Sequence, residues 1–191
     1  TQDIFIETCF RLGFKSFKCL RMKEKSGPFI TRNLGIQSAD GDLISFHDAD
    51  DWAHPQRIEN QAKVITHGNF VASISQLVRV TQDGVLFSRH FYPINRMAMS
   101  SLMIKKNVVH DLGYFFVDVL GSDTEYVERI KLFYGEKKII NIKKILTFSA
   151  HRKNSRTTSK ETGIPAFGIN KKRIESTDFW RERQIKMLKG E

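Results

Sequence analysis

Cysteine and proline are scarce in this sequence, with two cysteines and four prolines among 191 residues. Cys9 and Cys19 cannot form a disulfide framework, and their ten-residue separation does not fit a metal-binding pair. The scarcity argues against a disulfide-rich secreted domain and makes the reducing cytosol the expected compartment. Long apolar runs are also missing, since none approaches the roughly 18 to 20 residues of a membrane-spanning helix. The N-terminus TQDIFIETCF lacks the basic segment of a signal peptide, so secretion is not expected either.

Apolar residues make up 40% of the chain and include fifteen phenylalanines, which is enough for a packed core and argues against intrinsic disorder. Positive charge is concentrated near the end of the chain. From Glu136 to Glu191, Lys and Arg outnumber Asp and Glu by nine, so nearly all of the net charge of +10 lies there. Such a tail attracts nucleic acid, an anionic membrane or an anionic glycan, and it is equally compatible with a solvated surface.

Helical and strand periodicities alternate along the chain, which predicts an α/β protein built on an open sheet. In such sheets, ligands bind beyond the carboxyl ends of the strands. The predicted helices span residues 2–12, 28–39, 55–66, 107–112, 122–133 and 177–188. The predicted strands span residues 17–22, 43–46, 70–80, 85–91, 101–104, 138–142 and 145–149.

Three aspartates, Asp48, Asp50 and Asp51, follow the predicted strand 43–46. Three carboxylates within four positions repel one another at neutral pH, so they need a cation or several hydrogen-bond donors to stay ionised together. Carboxylate oxygens are hard ligands that suit Mg²⁺ or Mn²⁺, and such ions commonly bridge a protein to phosphate. The alternative is a solvated acidic turn that caps the helix beginning at Pro55. The local sequence leaves both interpretations open.

A longer pattern surrounds this cluster. Residues 27–59 read GPFITRNLGIQSADGDLISFHDADDWAHPQRIE, and further motifs follow as SLMI at 101–104, LGYF at 112–115 and GSDTEY at 121–126. In content, order and separation, these motifs resemble the family 2 glycosyltransferases of the GT-A fold. The resemblance implies a Rossmann-like mixed sheet flanked by helices.

The resemblance also implies a domain organisation. Residues 1–150 are expected to form the glycosyltransferase core, and residues 151–191 a basic loop and a C-terminal helix packed on the core or extending from it. Family members begin with two strands, the second ending in an acidic motif that reads the nucleobase, and this sequence starts after that motif. We therefore expect a domain that lacks the first strands of its nucleotide-binding half, either as a piece of a longer protein or with that half supplied from elsewhere.

The same resemblance assigns roles to the acidic residues. Asp48 is expected near the ribose of the donor nucleotide. Asp50 is expected to bind a Mn²⁺ or Mg²⁺ ion that stabilises the leaving diphosphate, with Asp51 as a further metal ligand. Asp123 is expected to be the general base that takes the proton of the acceptor hydroxyl, with Glu125 as the fallback. Helical spacing places these two carboxylates on different faces, so we expect only one of them to face the cleft.

Three basic residues complete the expected site. By resemblance, His151 completes the metal or diphosphate site, Arg152 contacts phosphate and Arg32 contacts the nucleotide, since a guanidinium matches phosphate oxygens. Simpler interpretations stay open for two of them. His151 could be an exposed residue before a basic loop, and Arg32 could form a structural ion pair with the acidic loop.

The resemblance as a whole implies a metal-dependent, inverting glycosyltransferase. It would move a sugar from a UDP- or GDP-sugar donor to a hydroxyl of a bacterial surface polysaccharide or glycolipid, such as capsule or lipopolysaccharide. The enzyme would work at the cytoplasmic face, where the basic tail could contact anionic membrane lipid. Nucleic acid is not an expected partner, because no nucleic-acid-recognition motif is present. The alternatives are a non-catalytic basic module that binds nucleic acid or another polyanion, and an inactive fragment of a transferase.

Overall fold

The computed structural model describes residues 2–14, 16–88, 92–152, 163 and 169–190. The chain divides into two compact units, Thr1–Asp40 and Gly41–Glu191, and each is described by itself. The domain boundary expected at residue 150 stays a prediction. Within the described ranges, no helix combines the length and the apolar character needed to cross a bilayer.

The first unit contains two helices, α1 (Gln2–Arg11) and α2 (Pro28–Ser38), both close to the predicted ranges. Gly27, with φ at 81°, precedes α2, and Pro28 occupies its first turn, where the missing N–H costs nothing. The strand predicted at 17–22 is wrong, because these residues have no regular secondary structure. The Phe17 ring instead packs edge-on against Phe10 of α1, with the ring centroids 5.3 Å apart. The apolar residue that suggested a strand is therefore used in helix packing.

The second unit is a mixed sheet flanked by helices, as predicted. Its strands are β1 (Leu43–Ser45), β2 (Asp51–Ala53), β3 (Ala72–Val80), β4 (Leu86–Phe87), β5 (Arg96–Met97), β6 (Met103–Lys105) and β7 (Ile139–Ala150). Its α-helices are α3 (Arg57–His67), α4 (Lys106–Leu112), α5 (Ser122–Tyr134) and α6 (Lys171–Lys189). Short 3₁₀ turns lie at Met99–Ser101 and Glu136–Lys138. The end of the strand predicted at 85–91 lies outside the described residues, as does most of the basic segment between Arg152 and Ile169.

The strand order is β1-β6-β3-β7-β2, with β4 and β5 also pairing with β3. The central pair, β3 and β7, is parallel, whereas β6 is antiparallel to both β1 and β3. Strand β1 therefore runs in the same direction as β3 and β7, and the carboxyl ends of all three meet at one edge of the sheet. The acidic loop that follows β1 begins at this edge.

Two differences from the predicted elements have clear physical causes. Strand β7 is continuous where two strands were predicted, because a shift in its register with β3 accommodates the exposed pair Lys143 and Lys144 without ending the strand. Helix α6 begins six residues before the predicted start at 177. Its N-cap is Asn170, whose side-chain oxygen accepts a hydrogen bond from the Lys172 amide at 3.0 Å.

The core lies where the sheet meets α3, α4 and α5. Fully buried apolar side chains come from each of these elements, including Ile65, Ile74, Ile104, Val108 and Ile130. Helix α3 is also fixed by polar contacts, since the buried Gln61 amide donates to the Ser101 carbonyl at 2.7 Å. Because buried polar groups are costly without partners, this bond fixes how α3 lies on the sheet.

Candidate functional site

The acidic loop joins β1 to β2 through a tight turn. Phe46 is buried at the end of β1, and the Asp51 amide donates to the Asp48 carbonyl at 3.1 Å. The His47 Nε2 atom lies 3.1 Å from the Asp51 carbonyl oxygen and bridges the same turn. These contacts give the loop a defined shape, with Asp50 at its tip.

Asp51 is held by two serine hydroxyls. Its backbone pairs with Ser149 of β7, whose hydroxyl donates to Asp51 Oδ1 at 2.7 Å, and Ser100 donates to Oδ2 at 3.4 Å. Burial raises the pKa of the Asp51 carboxyl, and the negative charges of Asp48 and Asp50 raise it further, while the bond from Ser149 opposes the shift. Both oxygens of Asp51 are thus engaged, and the side chain fixes the loop to the sheet.

Asp50 is the most exposed carboxylate of the loop. Its side chain is 47% exposed, and Oδ2 lies 3.7 Å from the Arg152 guanidinium, which is 52% exposed. Both residues line an open cavity of about 560 Å³, whose wall also includes Trp52 and Phe148. The Trp52 ring is 55% exposed and packs edge-on against Phe148 at 4.9 Å. A carboxylate, a guanidinium and an aromatic face therefore border one cavity.

A hard divalent cation suits the donor chemistry of this loop. Burial is the main cause of the raised Asp51 pKa, and repulsion by Asp48 and Asp50 adds to it. A cation at the half-exposed Asp50 carboxylate would relieve that repulsion. In the part of the chain that the structure describes, no three His, Cys, Asp or Glu side chains converge closely enough to hold a metal ion.

His151 and Arg152 follow β7 directly. The His151 amide donates to the Val80 carbonyl at 2.8 Å, which continues the β3–β7 pairing by one residue. The His151 ring stacks on Phe87 of β4, with 3.6 Å between centroids and 12° between planes. Arg32 belongs to α2 of the first unit, where its guanidinium lies 5.3 Å from the centroid of the Phe29 ring.

The two acidic residues at the start of α5 have different environments. Asp123 is partly buried, and its Oδ1 accepts a hydrogen bond from the Thr124 amide at 2.9 Å. Glu125 is fully buried and forms a two-pronged ion pair with Arg129, with both N···O distances at 2.9 Å. The Gln184 amide of α6 also donates to Glu125 Oε1 at 2.9 Å. Glu125 therefore joins α5 to α6, and of the two carboxylates Asp123 is the one that solvent reaches.

A chain of aromatic contacts connects the acidic loop to α5. The ring of Phe46 packs edge-on against Phe115 at 5.2 Å, and Phe115 in turn contacts Tyr126 at 4.5 Å. The Tyr126 hydroxyl donates to the Gly113 carbonyl at 2.9 Å, which closes the loop that leads into α5. Phe46 lies two residues before Asp48, and Tyr126 lies three residues after Asp123, so both acidic sites flank one packed aromatic unit.

Several polar residues near the acidic loop were not predicted from the sequence, namely Arg79, Arg96, Ser100 and Ser149. Arg79 carries the clearest signal that could have revealed it, because a charged residue near the end of the largely apolar strand 72–80 requires a special partner. Ser100 and Ser149 carry no such signal, since their importance depends on strand pairing.

A sequence model of the family described as "Glycosyl transferase family 2" matches residues 4–117, which is more than half of the chain. The chain belongs to glycosyl transferase family 2. A Bacillus subtilis (strain 168) protein described as "Uncharacterized glycosyltransferase YwdF" is 26% identical over 148 residues, covering 68% of this chain and 54% of the relative.

Two solved structures have a similar fold. S. aureus TarS 1-349 in complex with UDP-GlcNAc is similar with a TM-score of 0.59 at 16% identity, over 81% of this chain and 48% of that one. The mannosyltransferase PcManGT from Pyrobaculum calidifontis, in complex with GDP-Man and Mn²⁺, is similar with a TM-score of 0.60 at 14% identity. This match covers 96% of this chain and 56% of that one. The predicted GT-A-like α/β fold is confirmed. The chain spans about half the length of YwdF and of each of these two structural neighbours.

Proposed function

We propose that this chain carries the catalytic core of an inverting, metal-dependent glycosyltransferase that uses a nucleotide-diphosphate sugar. The observation that carries the proposal is the acidic loop at the shared carboxyl edge of β1, β3 and β7, where ligands bind in open α/β sheets. The structural neighbours support it, since one is in complex with UDP-GlcNAc and another with GDP-Man and Mn²⁺.

The donor is proposed to bind along the acidic loop. Asp48 would lie toward the ribose, and the half-exposed Asp50 would hold Mn²⁺ or Mg²⁺, with Asp51 fixing the loop and supplying nearby negative charge. The cation supplies positive charge to the leaving diphosphate when it is bound. Arg152, beside Asp50, can contact a phosphate oxygen. His151 is proposed to contact the metal or the diphosphate. A nucleotide contact by Arg32 stays a separate proposal, made from the sequence motif alone.

Asp123 is the proposed general base. The acceptor hydroxyl oxygen attacks the anomeric carbon as the bond from that carbon to the diphosphate oxygen breaks, and Asp123 receives the hydroxyl proton. Displacement from the opposite side inverts the anomeric configuration. We assign this role to Asp123 and not to the fallback Glu125, because Glu125 is fully buried in its ion pair with Arg129.

The proposed acceptor is a bacterial surface polysaccharide or glycolipid, assembled at the cytoplasmic face of the membrane. Helix α6 supports this placement, because its sequence contains seven Lys or Arg residues and only three Asp or Glu residues. A helix of this charge is attracted to anionic lipid. Binding to anionic vesicles that weakens with salt would support the membrane contact, and equal binding to neutral vesicles would contradict it.

Thermal unfolding with ligands tests the donor site. The chain is heated with UDP or GDP, each with and without Mn²⁺, and a ligand at about a hundred times its dissociation constant adds about 2.7 kcal/mol. We expect a Mn²⁺-dependent rise in the unfolding temperature that Asp50→Ala abolishes. The matched control is Asp83→Ala, an exposed aspartate in the β3–β4 turn, which should keep the rise. No rise with either nucleotide would contradict the proposal and favour a basic binding module.

A further inference from the structure

Two arginines lie on the sheet beside the acidic loop, and the donor site described above uses neither of them. Arg79 of β3 pairs with Ser149 of β7, and Ser149 pairs with Asp51 of β2. Directly paired residues point to the same face of a sheet, so Arg79 and Asp51 share a face.

Arg96 of β5 reaches the same place from the other side of β3. It pairs with Leu77, two residues before Arg79, so both arginines project from the same face. Diagonal neighbours of this kind lie about 7–8 Å apart, within reach of each other's long side chains. Burial lowers the pKa of the Arg79 guanidinium, and the charge of Arg96 lowers it further, while Asp51 and Asp50 oppose the shift.

The charges of Asp51 and Asp50 act on Arg79 without a direct contact to its guanidinium. In the part of the chain that the structure describes, neither guanidinium forms a hydrogen bond or an ion pair, and the Nη2 atom of Arg96 is buried without a hydrogen-bond partner. The carboxylate on their face, Asp51, already accepts bonds from Ser149 and Ser100. Two partly buried arginines side by side are unfavourable unless an anion binds between them.

We propose that Arg79 and Arg96 form a binding site for an oxyanion of the substrate, either a phosphate or a carboxylate. Paired guanidinium groups supply several N–H donors in the planar arrangement that such oxyanions match. This inference rests on the proposed function for its substrate. The oxyanion comes from the donor diphosphate or from an anionic group of the acceptor glycan.

Calorimetric titration with inorganic phosphate tests the site. Phosphate is titrated into the chain alone and into the chain saturated with UDP and Mg²⁺. We expect Arg79→Gln and Arg96→Gln each to weaken phosphate binding about tenfold or more, the usual effect of losing a charged hydrogen-bond donor. Arg79→Lys should have an intermediate effect, because it keeps the charge but loses the planar geometry. The control Arg181→Gln, on the exposed part of α6, should bind as the wild type does.

The two arms separate the possible sources of the oxyanion. If UDP with Mg²⁺ displaces phosphate, the site serves the donor diphosphate, and if phosphate still binds, it serves the acceptor. Folded Gln variants that bind phosphate like the wild type would overturn the inference, as would a wild type that binds none. If a Gln variant does not fold, the Lys variant at the same position, Arg79→Lys or Arg96→Lys, decides by the same criterion. Loss of phosphate binding in the variants, with no UDP binding in the wild type, would support this site and refute the proposed function.

Discussion

In both the acidic loop and the first turn of α5, an accessible carboxylate lies close in sequence to one that is held by the protein. In the loop, Asp50 is half exposed, whereas Asp51 is bonded by Ser149 and Ser100. In α5, Asp123 is partly buried, whereas Glu125 is enclosed by Arg129 and Gln184. The held carboxylates fix the geometry of each segment, and the accessible ones are available for ligands. The comparison therefore predicts opposite consequences for mutations only one or two positions apart.

The largest effect on stability is expected for Glu125→Ala. Removing this carboxylate leaves Arg129 charged and buried, which costs about 3–5 kcal/mol. Denaturant unfolding measures the loss. The matched control is Glu128→Ala on the same helix, whose surface pair with Lys131 should contribute about 1 kcal/mol or less. Equal stability of the two variants would show that the enclosed pair does not hold α5.

Asp123→Asn should remove activity and leave the fold intact. Losing a general base slows transfer by about a hundredfold or more. The unfolding free energy should change by about 0.5 kcal/mol or less, because the amide oxygen can still accept the Thr124 bond. Rates of sugar transfer and denaturant curves test the two halves of the prediction. The control is Asp178→Asn, at an exposed position of α6. A fully active Asp123→Asn variant would show that Asp123 is not the general base.

Asp51 should make stability depend on pH. Its pKa is raised above the ordinary value of 3.8, so the folded state binds this proton more tightly than the unfolded state. The resulting stabilisation is fully present below 3.8 and is lost as the pH rises through the raised pKa. Compared with Asp51→Asn, the wild type should therefore lose stability as the pH is raised through the range above 3.8. Urea unfolding across this range measures the difference, and a constant difference contradicts the burial argument.

The smallest effect on stability is expected for Asp50→Ala. Its pair with Arg152 is exposed and 3.7 Å long, so the unfolding free energy should change by about 0.5 kcal/mol or less. Denaturant unfolding without ligands checks this. A loss of several kcal/mol in the unfolding free energy would show that Asp50 stabilises the fold as Asp51 does. It would contradict the contrast between these two residues.

Much of the fold could be predicted from the sequence, because its signals are local. Periodicity located most helices and the longer strands, and the position of the aspartates after β1 indicated the loop. The strand predicted at 17–22 failed because Phe17 packs on a helix instead of in a sheet. The continuous β7 was missed because its irregular step is accommodated by pairing with β3, which is distant in sequence.

The candidate site was predictable only in part, because only its local sequence signals could be recognised in advance. The motifs drew attention to Asp50 and Asp123, but a sequence does not give the burial that distinguishes Asp123 from Glu125. That burial depends on Gln184, 59 residues away. Arg79 and Arg96 come together only because β5 pairs with β3. Residue types could therefore be recognised in advance, whereas their partners required the tertiary structure.

The contact between Gln184 and Glu125 has a consequence for the order in which the protein is made. Ribosomes add about 5–20 residues per second, so the 59 residues between the two partners take roughly 3 to 12 s to synthesise. During that interval, α5 and its ion pair can form while the Glu125 oxygen still lacks its donor from α6. The segment that carries Asp123 thus gains its last contact only after residue 184 has been made.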